Sequence, residues 1–246
     1  MYLKTIALVL RISEYNDRDA LLTVLTRDYG RLTVKARGLR RKNSPLAAPC
    51  QLLALCEFTL FEYKGMYTIN EAHSVELFTA LRGDLGKLAL GSYIAQVGEV
   101  ISQEDVPGKQ LLSLVLNCLY ALSEMDLPEL QIKAVFELRA ACIAGYSPDI
   151  CGCSHCGSPT PGYFDLSGGC FLCEGCKNCS VGLRYPITAA TAEAMRYVIS
   201  CEAKKMFGFT MGQEHLVQLS NIAEAYLITQ LERGFSALDF YKSLLV

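Results

Sequence analysis

Residues 28–49 read Asp-Tyr-Gly-Arg-Leu-Thr-Val-Lys-Ala-Arg-Gly-Leu-Arg-Arg-Lys-Asn-Ser-Pro-Leu-Ala-Ala-Pro. Arg31, Thr33, Lys35 and Arg37 alternate with Leu32, Val34 and Ala36. Successive side chains of a strand point to opposite faces, so this pattern predicts a strand with one apolar and one cationic face. Gly38 breaks the run, Arg40, Arg41 and Lys42 add three adjacent charges, and Asn43-Ser44-Pro45 is a turn that stops pairing. Between Arg27 and Lys42 stand seven basic residues and one acid, although the whole chain carries a net charge of -2. A cationic segment displayed on a β framework follows.

The flanking sequence extends that framework in both directions. Ile6, Leu8, Leu10 and Ile12 keep period two, which predicts a strand over residues 3–14, and Asn16-Asp17 turns the chain. Residues 19–27 are the second strand and 31–37 the third, with Tyr29-Gly30 between them. A fourth is expected over 52–63 and a fifth over 66–71, joined by the two-residue hairpin turn Lys64-Gly65. Five short strands with no helical crossover imply an antiparallel sheet or a small closed barrel, of which the oligonucleotide-binding (OB) barrel is the economical choice.

Beyond residue 80 the period changes to that of helices. Leu85, Leu88, Ala89, Tyr93 and Val97 open one that Pro107-Gly108 ends; Leu112 to Leu122 define a second, and residues 130–144 a third, stopped by Gly145. After the cysteine-rich stretch a helix is expected from Pro186–Thr191 through about Phe207, and another from Leu216 to near Gly234. Phe235 to Leu244 then packs back. The expected organisation is α+β and multidomain. A five-stranded OB-type β-barrel occupies residues 1–80, an α-helical bundle domain begins at 81–147 and is completed by 184–246, and a four-cysteine zinc module at 148–183 is inserted between its halves.

Just over half of the 246 residues are apolar and there is no low-complexity run, which excludes a disordered chain. The N-terminal apolar run stops at Arg11, so neither a signal peptide nor a membrane span is expected, and the address is cytosolic. Residues 1–80 hold eleven Lys/Arg against eight Asp/Glu, and the remainder twelve against seventeen, which points to a polyanion-binding first domain.

Seven of the twelve cysteines lie between residues 151 and 179. Cys153-x2-Cys156 and Cys173-x2-Cys176, sixteen residues apart, have the spacing of a four-thiolate zinc site, and four protein ligands leave no open position for catalysis. Cys170 and Cys179 extend the second pair into a run of Cys-x2-Cys steps, which keeps an iron-sulfur cluster as an alternative. Cys151, Cys170, Cys179 or His155 could replace one of the four ligands.

Three separated blocks resemble the RecO family of bacterial recombination mediators. They are Tyr15 to Thr26 followed by Tyr29-Gly30, then Ala36 to Lys42, then Tyr67 to Ala72. Phe136 to Arg139 with Gly145 to Pro148 continues the resemblance, as do the knuckles Cys153 to Gly157 and Gly168 to Cys176, although this chain has one extra residue after its Gly pair. The resemblance implies an OB domain that binds single- and double-stranded DNA, with Arg31, Lys35, Arg37, Arg40, Arg41 and Lys42 on its basic segment. It further implies strand annealing, help in loading the RecA recombinase onto DNA coated with the single-strand binding protein SSB, and a structural Zn2+ ion. The expected partners are RecR and the acidic SSB tail, with Lys133 and Arg139 as candidate cations for that tail, in a cytoplasmic, nucleoid-associated setting.

Tyr15, Tyr29 and Tyr67 are candidate base-stacking side chains, and Lys204 and Lys205 could extend the cationic surface. No Gly-Lys-Ser/Thr phosphate loop and no pairing of His with Cys or Ser suggests an enzyme. An RNA-directed module with the same barrel and knuckles, or a redox protein using the cysteines, are the alternative readings.

Overall fold

The computed structural model describes residues 2–245. In chain order its elements are β1 (Tyr2–Glu14), β2 (Ala20–Thr26), β3 (Arg31–Ala36), β4 (Leu55–Tyr63), β5 (Met66–Glu76), α1 (Leu85–Ile101), α2 (Lys109–Glu124), α3 (Glu129–Ile143), β6 (Asp149–Cys153), β7 (Tyr163–Asp165), β8 (Cys170–Leu172), β9 (Arg184–Pro186), α4 (Ala189–Ser200), α5 (Gln213–Leu231) and α6 (Ser236–Ser243). No helix among the described residues is long and apolar enough to cross a membrane.

The first five strands close into a barrel in the order β1-β2-β3-β5-β4, the OB-type architecture expected from the sequence. β1 closes it by pairing with two neighbours, β4 through residues 2–8 and β2 through residues 7–14, with a register shift between Val9 and Arg11 where the strand bends. The predicted alternation of β3 holds: Leu32, Val34 and Ala36 are buried beside Val9, Leu22, Val24, Phe58 and Leu60. Lys64 and Gly65 both have positive φ, 51° and 77°, as a two-residue hairpin twisted to match its strands requires.

Several boundaries differ from expectation. β4 starts at Leu55 because Leu53, with φ 65°, turns the chain there; its N–H donates to the Val9 carbonyl and the Ala54 carbonyl accepts from Val9. β5 continues to Glu76 because β4 is long enough to pair with it throughout. α1 ends at Ile101, well before Pro107, where Ser102 turns extended. Pro186 belongs to the edge strand β9, and α4 begins after Thr188, whose Oγ1 accepts the Thr191 N–H. α4 stops at Ser200, short of Phe207, because Cys201 is extended.

The chain groups into two compact units. The barrel, α1, α2 and α6 form one; residues 126–234 form the other. In the first, Phe235 meets Tyr93 of α1 edge-on at 5.5 Å and Gln96 accepts the Ala237 N–H, so the last helix completes the core next to the barrel. In the second, α3, α4 and α5 pack together and carry the small sheet β6-β8-β7-β9, whose strand β6 ends at Cys153 and whose connecting turns hold Cys156, Cys173 and Cys176.

Lys133, a candidate surface cation, is instead 2% exposed. Its ammonium lies 3.0 Å from Glu137 on the same helix and 2.8 Å from Glu224 of α5. Arg139 also turns inward, donating to the Cys201 carbonyl and sulfur. Neither is available to an acidic tail. A long basic side chain on a helix is expected at the surface, but α3 is buried around most of its circumference.

Removing the ammonium would leave two carboxylates in that interior, so Lys133→Ala is expected to cost about 3–5 kcal/mol, measured by denaturant unfolding.

Candidate nucleic-acid interface and metal centre

The basic segment is tied to the barrel by a polar clasp. Asn16 Oδ1 accepts the N–H groups of Arg18 and Asp19, folding the β1–β2 turn back on itself. Asp19 then accepts the Gly38 N–H at 2.8 Å and the Lys35 ammonium at 3.2 Å. The Gly38 N–H, the Asn16 amide and Lys35 together outweigh partial burial and hold the Asp19 carboxyl at about 2. Gly38 takes φ 68°, and a Cβ there would press against the Arg41 side chain at 3.3 Å.

The six sequence-predicted cations fall into two sets. Arg31 donates to the Glu99 carbonyl at the end of α1 and lies 3.4 Å from Glu104. Lys35 is held by Asp19 and sits over the Tyr15 ring at 4.5 Å. Arg40 pairs with Glu14 at 2.9 Å and donates to the Asn16 carbonyl. These three brace the fold. Arg37, Arg41 and Lys42 are exposed, and among the described residues no ion pair engages them. The chain therefore presents three uncompensated charges on a connection fixed at its base.

Among the candidate stacking tyrosines, Tyr67 packs against the barrel core, Tyr29 is an exposed turn residue, and Tyr15 carries Lys35 on its face. Sequence reasoning missed Tyr2, Phe61 and Tyr63, which stand exposed on the barrel wall. A signal for two of them exists in the alternation of Phe61 and Tyr63 with the inward Leu60. Lys204 and Lys205 are exposed on a short turn in the second unit, with Glu202 3.7 Å from Lys205.

In the second unit the sulfurs of Cys153, Cys156, Cys173 and Cys176 lie within 4.8 Å of one another. Cys151, Cys170, Cys179 and His155 lie outside this cluster among the described residues, Cys170 receiving the Ser154 hydroxyl at 3.2 Å. Each knuckle is a tight turn: Gly157 N–H returns to the Cys153 carbonyl, and Cys176 N–H to the Cys173 carbonyl. A tetrahedron with metal–sulfur distances of about 2.3 Å has edges of about 3.8 Å. The 3.6 Å separation of Cys156 and Cys173 Sγ matches that edge.

Burial opposes ionisation of Cys153, yet N–H groups of Cys173, Cys156 and His155 bring its thiol down to about 6. The neighbouring thiols of Cys156 and Cys173 push Cys176 upward. Sulfurs this close ionise in competition, and a bound dication would relieve it by attracting all four as thiolates and offsetting two of their four negative charges. Arg196 of α4 fixes the first knuckle, donating to the Ile150 carbonyl at 2.8 Å and lying over the Phe171 ring.

One equivalent of cobalt(II) is expected to give the absorption of a tetrahedral thiolate complex, and Cys156→Ser to abolish that spectrum. At the clasp, the lowered Asp19 value means that its stabilisation is complete above about pH 4 and lost as pH falls towards 2. Asp19→Asn should therefore melt below the parent chain at neutral pH and converge with it near pH 2, as followed by thermal unfolding across pH.

Comparison with known families gives two adjoining matches. Residues 1–85 match the family model described as Recombination protein O N terminal, and residues 82–239 the one described as Recombination protein O C terminal. A DNA repair protein RecO from Acetivibrio thermocellus is 34% identical over 99% of this chain and 97% of its own length. Those of Alkaliphilus metalliredigens and a Thermoanaerobacter species are 25% and 27% identical, over 99% and 98% of this chain and 100% and 98% of theirs. The chain thus belongs to the RecO family of DNA repair and recombination proteins.

Proposed function

We propose that this chain binds single- and double-stranded DNA through the basic connection of its barrel, anneals complementary strands, and assists RecA loading on SSB-coated DNA. The observation that carries this reading is the exposure of Arg37, Arg41 and Lys42 with no acidic partner among the described residues, on a loop clasped at Gly38. Such cations bind a phosphate chain by displacing its condensed counterions, so binding is salt-dependent and nearly indifferent to sequence. Holding two backbones near one cationic surface lowers their mutual repulsion and favours pairing.

The protein acts here as a mediator without covalent catalysis, with RecR and the SSB tail as its partners, in the cytoplasm at the nucleoid. The four-thiolate cluster would hold Zn2+, which supplies a structural cross-link between the two knuckles. The residues around it orient the ligands: Arg196 anchors the strand that carries Cys153.

Charge reversal at Arg37, Arg41 and Lys42 tests the reading. The slope of log affinity against log salt should shrink by about two to three, and annealing should slow, while the melting temperature changes little. Arg40→Glu is the contrasting variant, because it breaks the brace to Glu14 and should lower thermal stability instead. Unchanged annealing and an unchanged salt slope in the triple variant would refute the assignment.

A further inference from the structure

The barrel carries a cluster of large apolar side chains on its outside, away from the helices' core. Tyr2 is 63% exposed, Tyr63 62%, Met66 47% and Phe61 38%. Backbone register makes them one group: Tyr2 of β1 pairs with Phe61 of β4, and Tyr63 of β4 with Met66 of β5 across the hairpin. The Tyr2 and Phe61 rings lie 5.3 Å apart, tilted by 52°, and Lys64 at the hairpin tip sits 5.4 Å from the Tyr63 ring centre. Tyr2 and Tyr63 gain little from folding, since more than half of each side chain stays in water.

Register also connects the cluster to the cationic side of the barrel. Phe61 pairs with Thr68 of β5, and Thr68 with Lys35 of β3, so Lys35, Thr68, Phe61 and Tyr2 form one continuous outward row. Three strand spacings separate its ends, about 14 Å.

We infer that Tyr2, Phe61 and Tyr63 form a base-stacking platform for single-stranded nucleic acid, with Lys64 at its rim meeting the backbone. The inference rests on the nucleic-acid reading above and adds to it the part of the ligand that is gripped: unpaired bases, which offer π faces that duplex DNA keeps stacked inside. Charge complementarity favours this occupant. Lys64 stands beside Tyr63 at the hairpin tip, Lys35 closes the far end of the row from Tyr2 in its pairing with Asp19, and the acidic Glu57 on the same wall is paired with Lys4 at 2.9 Å. A surface that stacks single strands while Arg37, Arg41 and Lys42 hold phosphates would present bases splayed for pairing.

The test compares the full chain on oligothymidylate and on an oligomer of equal length made of abasic sites, which keeps every phosphate and removes every base. The parent chain should bind the thymidylate about 5- to 50-fold more tightly, and Tyr63→Ala should erase that preference while leaving abasic binding and melting temperature unchanged. Tyr63→Phe should retain it. The chain contains no tryptophan, so Tyr63→Trp supplies a single reporter whose fluorescence thymidylate should quench and the abasic oligomer should not. Equal binding of the two oligomers by the parent chain, or a full preference in Tyr63→Ala, overturns the platform and leaves the electrostatic reading standing. Failure to bind either oligomer overturns both.

Discussion

Barrel closure is the constraint from which the rest of the first unit follows. A single strand, β1, must satisfy β4 along its first half and β2 along its second, and the register shift between Val9 and Arg11 lets it do so. Once closed, the barrel has a definite inside and outside. Apolar residues of all five strands fill the first, and every charged residue of β3 must find its place on the second. Arg31 and Lys35 find acids there, supplied by elements on either side of β3. Arg37, Arg41 and Lys42 follow the strand's end and find none among the described residues, so their field projects into solvent.

The clasp explains why such a segment can be both charged and fixed. Like charges in sequence repel, and a free loop would relax by spreading them. Here one carboxylate, Asp19, accepts the loop's first N–H and a lysine together, and Arg40 reaches back to Glu14 and to the Asn16 carbonyl. The second unit meets charge differently. Lys133, Glu137 and Glu224 are withdrawn from water and satisfied among themselves and their neighbours, where they specify how α3 meets α5.

The parts legible in the sequence are those written by local spacing. Alternation in β3 and the Lys64-Gly65 turn give strand and hairpin, and the two Cys-x2-Cys steps name the four sulfurs that meet. What escapes depends on residues distant in the chain. That Arg31 pairs with Glu104, seventy-three residues away, is not written in local spacing, and Lys133 looks exposed because periodicity along α3 does not show that α5 covers its polar side. Phe61 and Tyr63 are easily overlooked because aromatic residues in a strand are usually counted as interior, although their alternation with Leu60 sets them outward, and it takes the register to bring Tyr2 beside Phe61. The division into units is hidden for the same reason, since α6 joins α1 across the whole second unit.

That last pairing fixes an order of events during synthesis. The strands of the barrel and both following helices leave the ribosome long before residues 235–243, yet Phe235, Leu238 and Tyr241 are interior to the same body. Until they emerge, the side of α1 that Phe235 covers at Tyr93 stays open to water, and the intervening hundred or so residues can fold in the meantime as a body of their own. The first unit to begin is therefore the last to finish, and a chain cut before Phe235 would leave that early-made side of α1 uncovered, a sticky surface of the kind that chaperones and proteases survey.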